Sequence, residues 1–152
     1  MLVISQIFWF SSALAKGDSL KQAVEISAHG NIFQAERFKV AAENLANKDS
    51  TSSTPGGIPY RRKVIFATNA YNKDIKANLL YVKKVDVDKS EFILRYDPNH
   101  PAANADGYVK YPNIIAEIER ADAQEAQRSI EANLGVIEIS NSLIQKTIEA
   151  IK

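Results

Sequence analysis

The sequence of 152 residues contains no cysteine. This absence excludes disulfide bonds, thiolate nucleophiles and cysteine-based metal sites together. It leaves the cellular compartment open, because a protein without disulfides occurs in any compartment.

Blocks of like charge are also missing. The net charge is +1, charged residues make up 24% of the chain and hydrophobic residues 45%. A protein that binds nucleic acid or acidic lipid usually carries a clustered basic patch, and this chain has none. The composition and length instead predict a single folded domain with one core.

No apolar run is long enough to span a bilayer as a helix. The first residues, "MLVISQIFWFSSALA", are apolar for about fifteen positions, whereas a span needs about twenty. Ala13 and Ala15 fit the small-residue rule of a cleaved signal, but no Lys or Arg precedes the run. A secretory signal, an extension of the next helix that docks on a neighbour and a wrongly chosen start codon all stay open.

Motifs of enzymes and metal-binding loops are missing as well. No Gly-x-Ser-x-Gly elbow occurs, and "TPGGIPYRRK" lacks the Gly-Lys-Ser/Thr end of a phosphate loop. Its basic residues Arg61, Arg62 and Lys63 are most simply the solvated start of a strand. A calcium loop that began at Asp97 would place Pro101 where an oxygen ligand is needed. We therefore predict no catalytic residue, no metal site, no cofactor and no enzymatic activity.

Helical spacing becomes regular at Asp18. Ser19 and Gln22 have the pattern of a capping box, and apolar residues then recur at helical intervals. The loop sequence "NKDSTSSTPGGIP" ends the pattern, because its prolines forbid further helix. We predict an apolar extension over 1–17 and a helix over 18–48. The side chains expected to pack this helix against another are Phe33, Val40, Ala41 and Leu45.

A loop and small β region is predicted over 49–112. The segments "YRRKVIFATNA", "LLYVKKVDVDK" and "EFILRYD" are rich in β-branched and aromatic residues. Val85 and Val87 alternate with aspartates, and Leu94 and Tyr96 alternate with Ile93 and Arg95. Alternation of this kind predicts a small sheet of about three strands, each with one buried face.

The segment "YDPNHPAANADGYVKYPN" connects this region to the last helix. Pro98, Pro101 and Pro112 restrict the backbone, and Asp106-Gly107 suits a tight turn in which Gly107 has a positive φ. We predict a rigid connector whose chemistry lies in its backbone.

A long helix is predicted over 113–152, where no proline occurs. One seam follows heptad spacing, with a single polar member, which coiled coils use to set register. The seam consists of Ile130, Leu134, Ile137, Asn141, Ile144, Ile148 and Ile151. It could face the first helix of the same chain or a neighbouring subunit. The predicted fold is α+β, mainly α, with long N- and C-terminal helices packed as a coiled-coil-like hairpin around a small β insertion.

In order and spacing, "AENLANKDS…TPGGIPYRRKVIF", "YDPNHPAANADGYVKYPN" and "RSIEAN" resemble the flagellar basal-body rod proteins of the FlgC type. The resemblance covers the chain from about Ile26 to the C-terminus. The matching residues are Asn44, Ala46, Asn47, Tyr60, Arg61, Arg62, Asp97, Pro98, His100, Pro101, Asp106, Gly107, Tyr108, Pro112, Asn113, Arg128, Glu131 and Asn133.

The resemblance implies a structural subunit of the proximal rod, the drive shaft that crosses the periplasmic space. It implies export through the flagellar type III apparatus, followed by helical assembly through the terminal helices. The implied partners are other rod subunits and basal-body ring or adaptor proteins, with no nucleic acid and no small-molecule substrate. The alternative function is a periplasmic adaptor or secretion-channel component that kept the rod fold without a flagellum.

Overall fold

The computed structural model describes the backbone of residues 3–151 and the side chains of residues 18–150. Two long helices flank four strands: α1 Val3–Ala46, β1 Lys63–Asn72, β2 Ala77–Val87, β3 Ile93–Tyr96, β4 Tyr108–Tyr111 and α2 Ala116–Ile151. The predicted α+β fold with two terminal helices and a small β insertion is confirmed. Among the described residues, no helix is both long and apolar enough to cross a membrane.

The first helix does not begin where the sequence predicted. Because α1 begins at Val3 and passes through Ser19 without a break, the predicted start at Asp18 and the capping box are wrong. No proline separates the apolar stretch from the next residues, so the backbone continues as one helix. The side chains of 1–17 lie outside the described residues.

The strands form two separate two-stranded sheets rather than one. Four residues join β1 to β2, which makes them an antiparallel hairpin. The shorter pair is β3 with β4, antiparallel, with Ile93 opposite Tyr111 and Tyr96 opposite Tyr108. The segment predicted as a connector thus contains a strand, β4, that the sequence pattern did not reveal.

The predicted buried faces of the strands are also wrong. Val85 and Val87 in β2, and Leu94 and Tyr96 in β3, are all exposed. A two-stranded ribbon has no second layer of its own to cover one face, so alternation alone does not ensure burial.

The chain divides into two compact units. The first consists of α1 up to Phe33, the 68–81 tip of the hairpin and α2 from Arg128 onward. Within it, Leu79 is fully buried, and the ring of Tyr81 packs edge-on against His29 with their centroids 4.9 Å apart.

The helices of the first unit carry buried small and polar side chains. Ser27 on α1 and Ser140 on α2 are buried. A Cβ atom on Gly30 would lie 2.9 Å from Nδ2 of Asn133, closer than real contacts allow. Glycine inside a helix costs about 1 kcal/mol relative to alanine, and here it makes room for the facing asparagine.

The second unit consists of residues 34–67 and 82–127. Its core combines α1, the β3–β4 sheet, the connector and the first turns of α2. The buried apolar residues of this unit are Val40, Ala41, Ala102, Val109, Ile114 and Ala126. This small core surrounds a group of buried polar side chains.

Candidate assembly sites

Asn44, near the end of α1, is the centre of the buried polar group. Its side chain is fully buried, and Nδ2 donates hydrogen bonds to the Lys63 carbonyl and to Oε2 of Glu119, both at 2.9 Å. Oδ1 accepts from the backbone N–H of Lys63 at 2.8 Å and from the Tyr60 hydroxyl at 3.2 Å. A primary amide has two donors and two acceptor positions, so the hydrogen-bonding capacity of Asn44 is filled.

Glu119 brings a carboxylate into the same buried group. Its side chain is 2% exposed, and Oε1 accepts a hydrogen bond from Nε of Arg62 at 2.6 Å. The Arg62 guanidinium also lies 3.6 Å from Asp88. Burial lowers the pKa of Arg62, but the carboxylates outweigh it, so the pKa is raised overall. The buried carboxylate is thus paired with a cation that stays charged, as burial of a charge requires.

Further ion pairs surround this centre. Nη2 of Arg37 lies 2.8 Å from Oδ1 of Asp122, and Nζ of Lys63 lies 2.9 Å from Oε2 of Glu43. The hydrogen bond from Lys63 lowers the pKa of Glu43. We call the whole group the polar junction; it consists of Arg37, Glu43, Asn44, Tyr60, Arg62, Lys63, Asp88, Asn113, Glu119 and Asp122.

Arg61 and Asn113 tie the end of β2 to the junction. Nη1 of Arg61 donates to the carbonyls of Asp88 and Ser90 at 3.1 and 2.9 Å. Oδ1 of Asn113 accepts from the backbone N–H of Arg62 at 3.1 Å, and its Nδ2 donates to Oγ of Ser90 at 2.7 Å. The prediction that the arginines are merely a solvated strand start is wrong, because both find acceptors on other elements.

The connector uses its polar side chains to hold its own backbone. Oδ1 of Asn104 accepts from the N–H groups of Asp106 and Tyr108 at 3.0 and 2.8 Å. Nδ1 of His100 accepts from the N–H of Ala102 at 3.0 Å. Gly107 has φ of 78°, the positive value that the Asp-Gly turn predicted. These contacts are those of a backbone connector.

Of the prolines and aspartates in the connector, only Pro112 is buried. Pro112 is fully buried, whereas Asp97, Pro98, Pro101 and Asp106 are exposed. Within the described residues, no group of three His, Cys, Asp or Glu side chains could hold a metal ion.

The motif residues at the two helices have distinct surroundings. Asn47 follows α1, and its Nδ2 donates to the carbonyl of Glu43 at 2.8 Å, while Ala46 is exposed. On α2, Arg128 and Glu131 are exposed and Asn133 faces Gly30.

The four predicted packing residues of α1 differ in burial. Val40 and Ala41 are buried, and Phe33 and Leu45 are half-buried.

The heptad seam of α2 divides into two sides in the structure. Ile130, Ile137 and Ile144 are half-buried. Leu134 and Ile148 are 52% and 54% exposed, and Asn141 is exposed too. Ile151 lies outside the described side chains. That these residues form an assembly seam stays a prediction.

A second apolar row on α2 was missed by the sequence analysis. We call it the outer stripe; it consists of Ala132, Val136, Ile139 and Leu143, spaced by four, three and four residues. Val136, Ile139 and Leu143 are 43%, 63% and 45% exposed. The spacing was a usable signal, because heptad intervals recur in it, but the sequence analysis followed only one row of the helix.

The junction was missed for a different reason. The hydrogen bond between Asn44 and Glu119 joins residues 75 positions apart. A glutamate in the first turn of a helix is already explained by the helix dipole. The sequence therefore offered no reason to expect that Glu119 also contacts Arg62.

No protein-family model matches the chain. Curated relatives do: a protein of Agrobacterium fabrum is 41% identical over 135 residues, covering 89% of this chain and 97% of the relative. A protein of Escherichia coli O6:H1 is 38% identical over 133 residues, covering 86% and 96%. One of Bacillus subtilis is 32% identical over 142 residues, covering 84% and 95%. Each of the three is named flagellar basal-body rod protein FlgC. At this identity over most of its length, the chain belongs to the FlgC family of flagellar basal-body rod proteins.

Proposed function

We propose that this structural subunit of the flagellar basal-body rod assembles helically in the proximal rod, through faces of α1 and α2 that its own fold leaves uncovered. The two terminal helices α1 and α2 supply the rod helices, and the residues between them hold the connector. The neighbours are other rod subunits and basal-body ring or adaptor proteins, and the chain reaches them through the type III export apparatus. The apolar residues from Val3 to Gly17 form the first turns of α1.

The observation that carries the proposal is the outer stripe. Its three large aliphatic side chains, Val136, Ile139 and Leu143, are each about half exposed on one face of α2. A contiguous row of exposed aliphatic side chains marks an interaction surface more often than a solvated one. Burying the rest of each side chain would contribute about 1 kcal/mol, roughly half of the value for full burial.

The composition of the helix contact inside the first unit supports the same conclusion. Ser27 and Ser140 are buried and Gly30 faces Asn133, whereas the large aliphatic residues Ile130, Ile137 and Ile144 on α2 are only half-buried. Long helices gain most of their stability from tertiary packing rather than from propensity. Helices whose apolar side chains are only partly buried therefore gain stability when neighbouring subunits cover their other faces.

The alternative, an adaptor that kept the rod fold without a flagellum, is not favoured. The relatives from three bacteria are all named as rod proteins.

The test compares Leu143→Asp with Glu138→Gln in a motile strain whose own copy is deleted. Deletion should stop hook and filament assembly, and the wild-type gene should restore it. Leu143→Asp should lower the free energy of unfolding of the purified protein by about 1–2 kcal/mol, because Leu143 is 45% exposed and loses only the part of its burial that the subunit supplies. The variant should therefore fold, yet give no basal bodies by electron microscopy.

Glu138→Gln, on another side of the same helix and also exposed, should assemble normally. Normal basal bodies from Leu143→Asp would contradict the role of the outer stripe. Normal hooks in the deletion strain would contradict the role of the chain in the rod.

A further inference from the structure

We infer that Asp106-Gly107 is a site of isoaspartate formation and that the turn around Asn104 suppresses this reaction in the folded subunit. In this reaction the backbone nitrogen of the following residue attacks the side chain of the aspartate. Glycine allows the attack most readily, because it has no side chain to hinder it. Asp106-Gly107 is the one place in the sequence where a glycine follows an aspartate, and no glycine follows an asparagine.

The reaction needs no reagent other than water. The nitrogen of Gly107 loses its proton and forms a bond to Cγ of Asp106, while one carboxyl oxygen leaves as water. A cyclic imide results, and water then opens it at either carbonyl. Opening at the backbone carbonyl gives isoaspartate, in which the chain runs through Cβ and Cγ of residue 106. The product has the mass of the original chain but one additional atom in its backbone.

The turn itself requires the glycine that makes this bond reactive. Gly107 has φ of 78°, and a Cβ atom there would lie 2.8 Å from a ring carbon of Tyr96 and 3.2 Å from Cβ of Pro98. A residue with a side chain would be strained in this conformation and would collide with both neighbours. Asp106 is exposed, so water reaches its carboxyl group. Protection therefore has to come from the residues around the bond.

Hydrogen bonds hold the backbone on both sides of the reactive bond. The N–H of Gly107, which must lose its proton for the attack, donates to the carbonyl of Asn104 at 3.0 Å. The carbonyl of Gly107 accepts from the N–H of Asp97 at 2.9 Å. Oδ1 of Asn104 accepts from the N–H groups of Asp106 and Tyr108, and the N–H of Asn104 donates to the Tyr108 carbonyl at 2.9 Å. Asn104 thus contacts the residues before, at and after the bond.

These hydrogen bonds oppose the attack in two ways. An amide that donates a hydrogen bond gives up its proton only when local opening breaks that bond. Ring closure also requires the backbone to adopt the geometry of the imide, and the fixed groups on either side of Gly107 resist that change. The reaction therefore waits for the turn to open, whereas the unfolded chain has no such protection.

Isoaspartate at residue 106 would disrupt the connector. The additional backbone atom would displace Tyr108, which lies opposite Tyr96 at the start of β4. It would also remove Gly107 from its close fit against the Tyr96 ring. Asn104 therefore preserves the covalent structure of the connector as well as its conformation.

The test follows isoaspartate at residue 106 in the purified full chain during incubation at neutral pH. Mass spectrometry with electron-based fragmentation distinguishes isoaspartate from aspartate in the peptides. Wild-type protein is compared with Asn104→Ala and Asn104→Asp, each folded in buffer and unfolded in guanidinium chloride. Asn104→Asp is the matched control, because its carboxylate keeps an acceptor for the N–H groups of Asp106 and Tyr108. Circular dichroism establishes which samples are folded.

We expect the unfolded wild-type chain to form isoaspartate at residue 106 at least about tenfold faster than the folded protein. Folded Asn104→Ala, which loses two side-chain hydrogen bonds, should react about tenfold faster than folded wild type. The two should react equally fast when unfolded, and folded Asn104→Asp should be as slow as folded wild type. In wild-type protein, low concentrations of guanidinium chloride should raise amide exchange at Gly107 and isoaspartate formation together, which tests the protection without a variant.

Four results would overturn the inference. Equal rates in the folded and unfolded wild-type chain would show that the fold gives no protection. An unfolded chain without isoaspartate at residue 106 would show that the bond is not reactive. Folded Asn104→Ala that reacts as slowly as wild type would exclude the role of Asn104. Isoaspartate formation that stays constant while amide exchange at Gly107 rises would show that opening of the turn does not control the reaction.

Discussion

Replacing Asn44 with alanine removes the group that joins three parts of the polar junction. The side chain is fully buried and makes four hydrogen bonds: to both backbone groups of Lys63, to the Glu119 carboxylate and to the Tyr60 hydroxyl. Alanine would leave all four partners without this contact. Replacing a short polar residue on a helix by alanine usually costs little stability. At Asn44 we expect a large loss.

The magnitude follows from the groups left behind. A buried group without its hydrogen-bond partner costs about 1–3 kcal/mol, and the carboxylate and the two backbone groups give three such losses. A pocket of about 200 Å³, lined by Arg37, Arg62 and Asp122 among others, adjoins the site. Water entering from it replaces part of the bonding. The free energy of unfolding should therefore fall by about 3–5 kcal/mol, a large share of the roughly 5–15 kcal/mol of a typical domain.

The assay is urea unfolding of the purified full chain, followed by circular dichroism. The matched control is Asn47→Ala, three residues later and only half-buried, where a hydrogen bond to the Glu43 carbonyl and one from the Ser50 hydroxyl are lost. It should cost about 1 kcal/mol. Asn44→Asp should be worse at pH 7 than at pH 4, because the new carboxylate would face that of Glu119. A loss below about 1 kcal/mol for Asn44→Ala would refute the reasoning, since the junction would then contribute nothing beyond solvation.

Three further predictions concern the turn, the helix contact and acid stability. Gly107→Val should destabilise the protein by about 3 kcal/mol and abolish motility, because the residue has φ of 78° and a Cβ atom would lie 2.8 Å from a ring carbon of Tyr96. His100→Ala loses one hydrogen bond, so it should lower the free energy of unfolding by about 1 kcal/mol and leave the cells motile. Non-motile cells with His100→Ala and motile cells with Gly107→Val would overturn the connector interpretation. Gly30→Ala should lower the unfolding midpoint despite a propensity gain of about 1 kcal/mol, and the same change in an Asn133→Ala background should raise it; equal effects in both backgrounds would exclude the steric explanation. The pKa of Asp88 is lowered, mainly by a hydrogen bond from the N–H of Ser90. The stability that the ionised Asp88 contributes to the fold is therefore present above its unfolded pKa of about 4, and it is lost as the pH falls through the lower folded pKa. Asp88→Asn should flatten the pH dependence of stability in that range. An unchanged slope would show that Asp88 does not contribute to stability there.

The helices were the part of the fold that local sequence rules could predict. A proline-free segment with heptad spacing specifies a long helix wherever it lies, and α2 begins only three residues after the predicted Asn113. The start of α1 was missed because a capping box marks a helix start only where the preceding chain leaves the helix. No residue before Ser19 interrupts the helix, so Ser19 lies within α1.

The strands show the limit of period-two patterns. Alternation at Val85 and Val87 correctly indicated extended chain, yet both side chains are exposed. Burial depends on whether another layer covers that face, and this is decided by residues far away in sequence.

The candidate sites were predictable only where a single helix contains them. The outer stripe lies on one helix and its spacing can be counted, whereas the polar junction unites α1, the start of β1, the end of β2 and the start of α2. Asn44 and Arg62 were singled out by resemblance, but their shared contact with Glu119 was not, because one sequence contains no information on pairs so far apart.

The polar junction has a mechanical consequence for a subunit of a rod. Hydrogen bonds lose energy steeply when the donor and acceptor leave a separation of about 2.7–3.2 Å, and Asn44, Arg62 and Glu119 make several of them in crossed directions. Sliding of one element past another would stretch all of these bonds together. Contacts among aliphatic side chains are non-directional and tolerate small displacements. In the proposed assembly, in which aliphatic side chains of α2 join the subunits, twist applied to the rod would be resisted stiffly at the junction inside each subunit. The contacts between subunits would deform elastically.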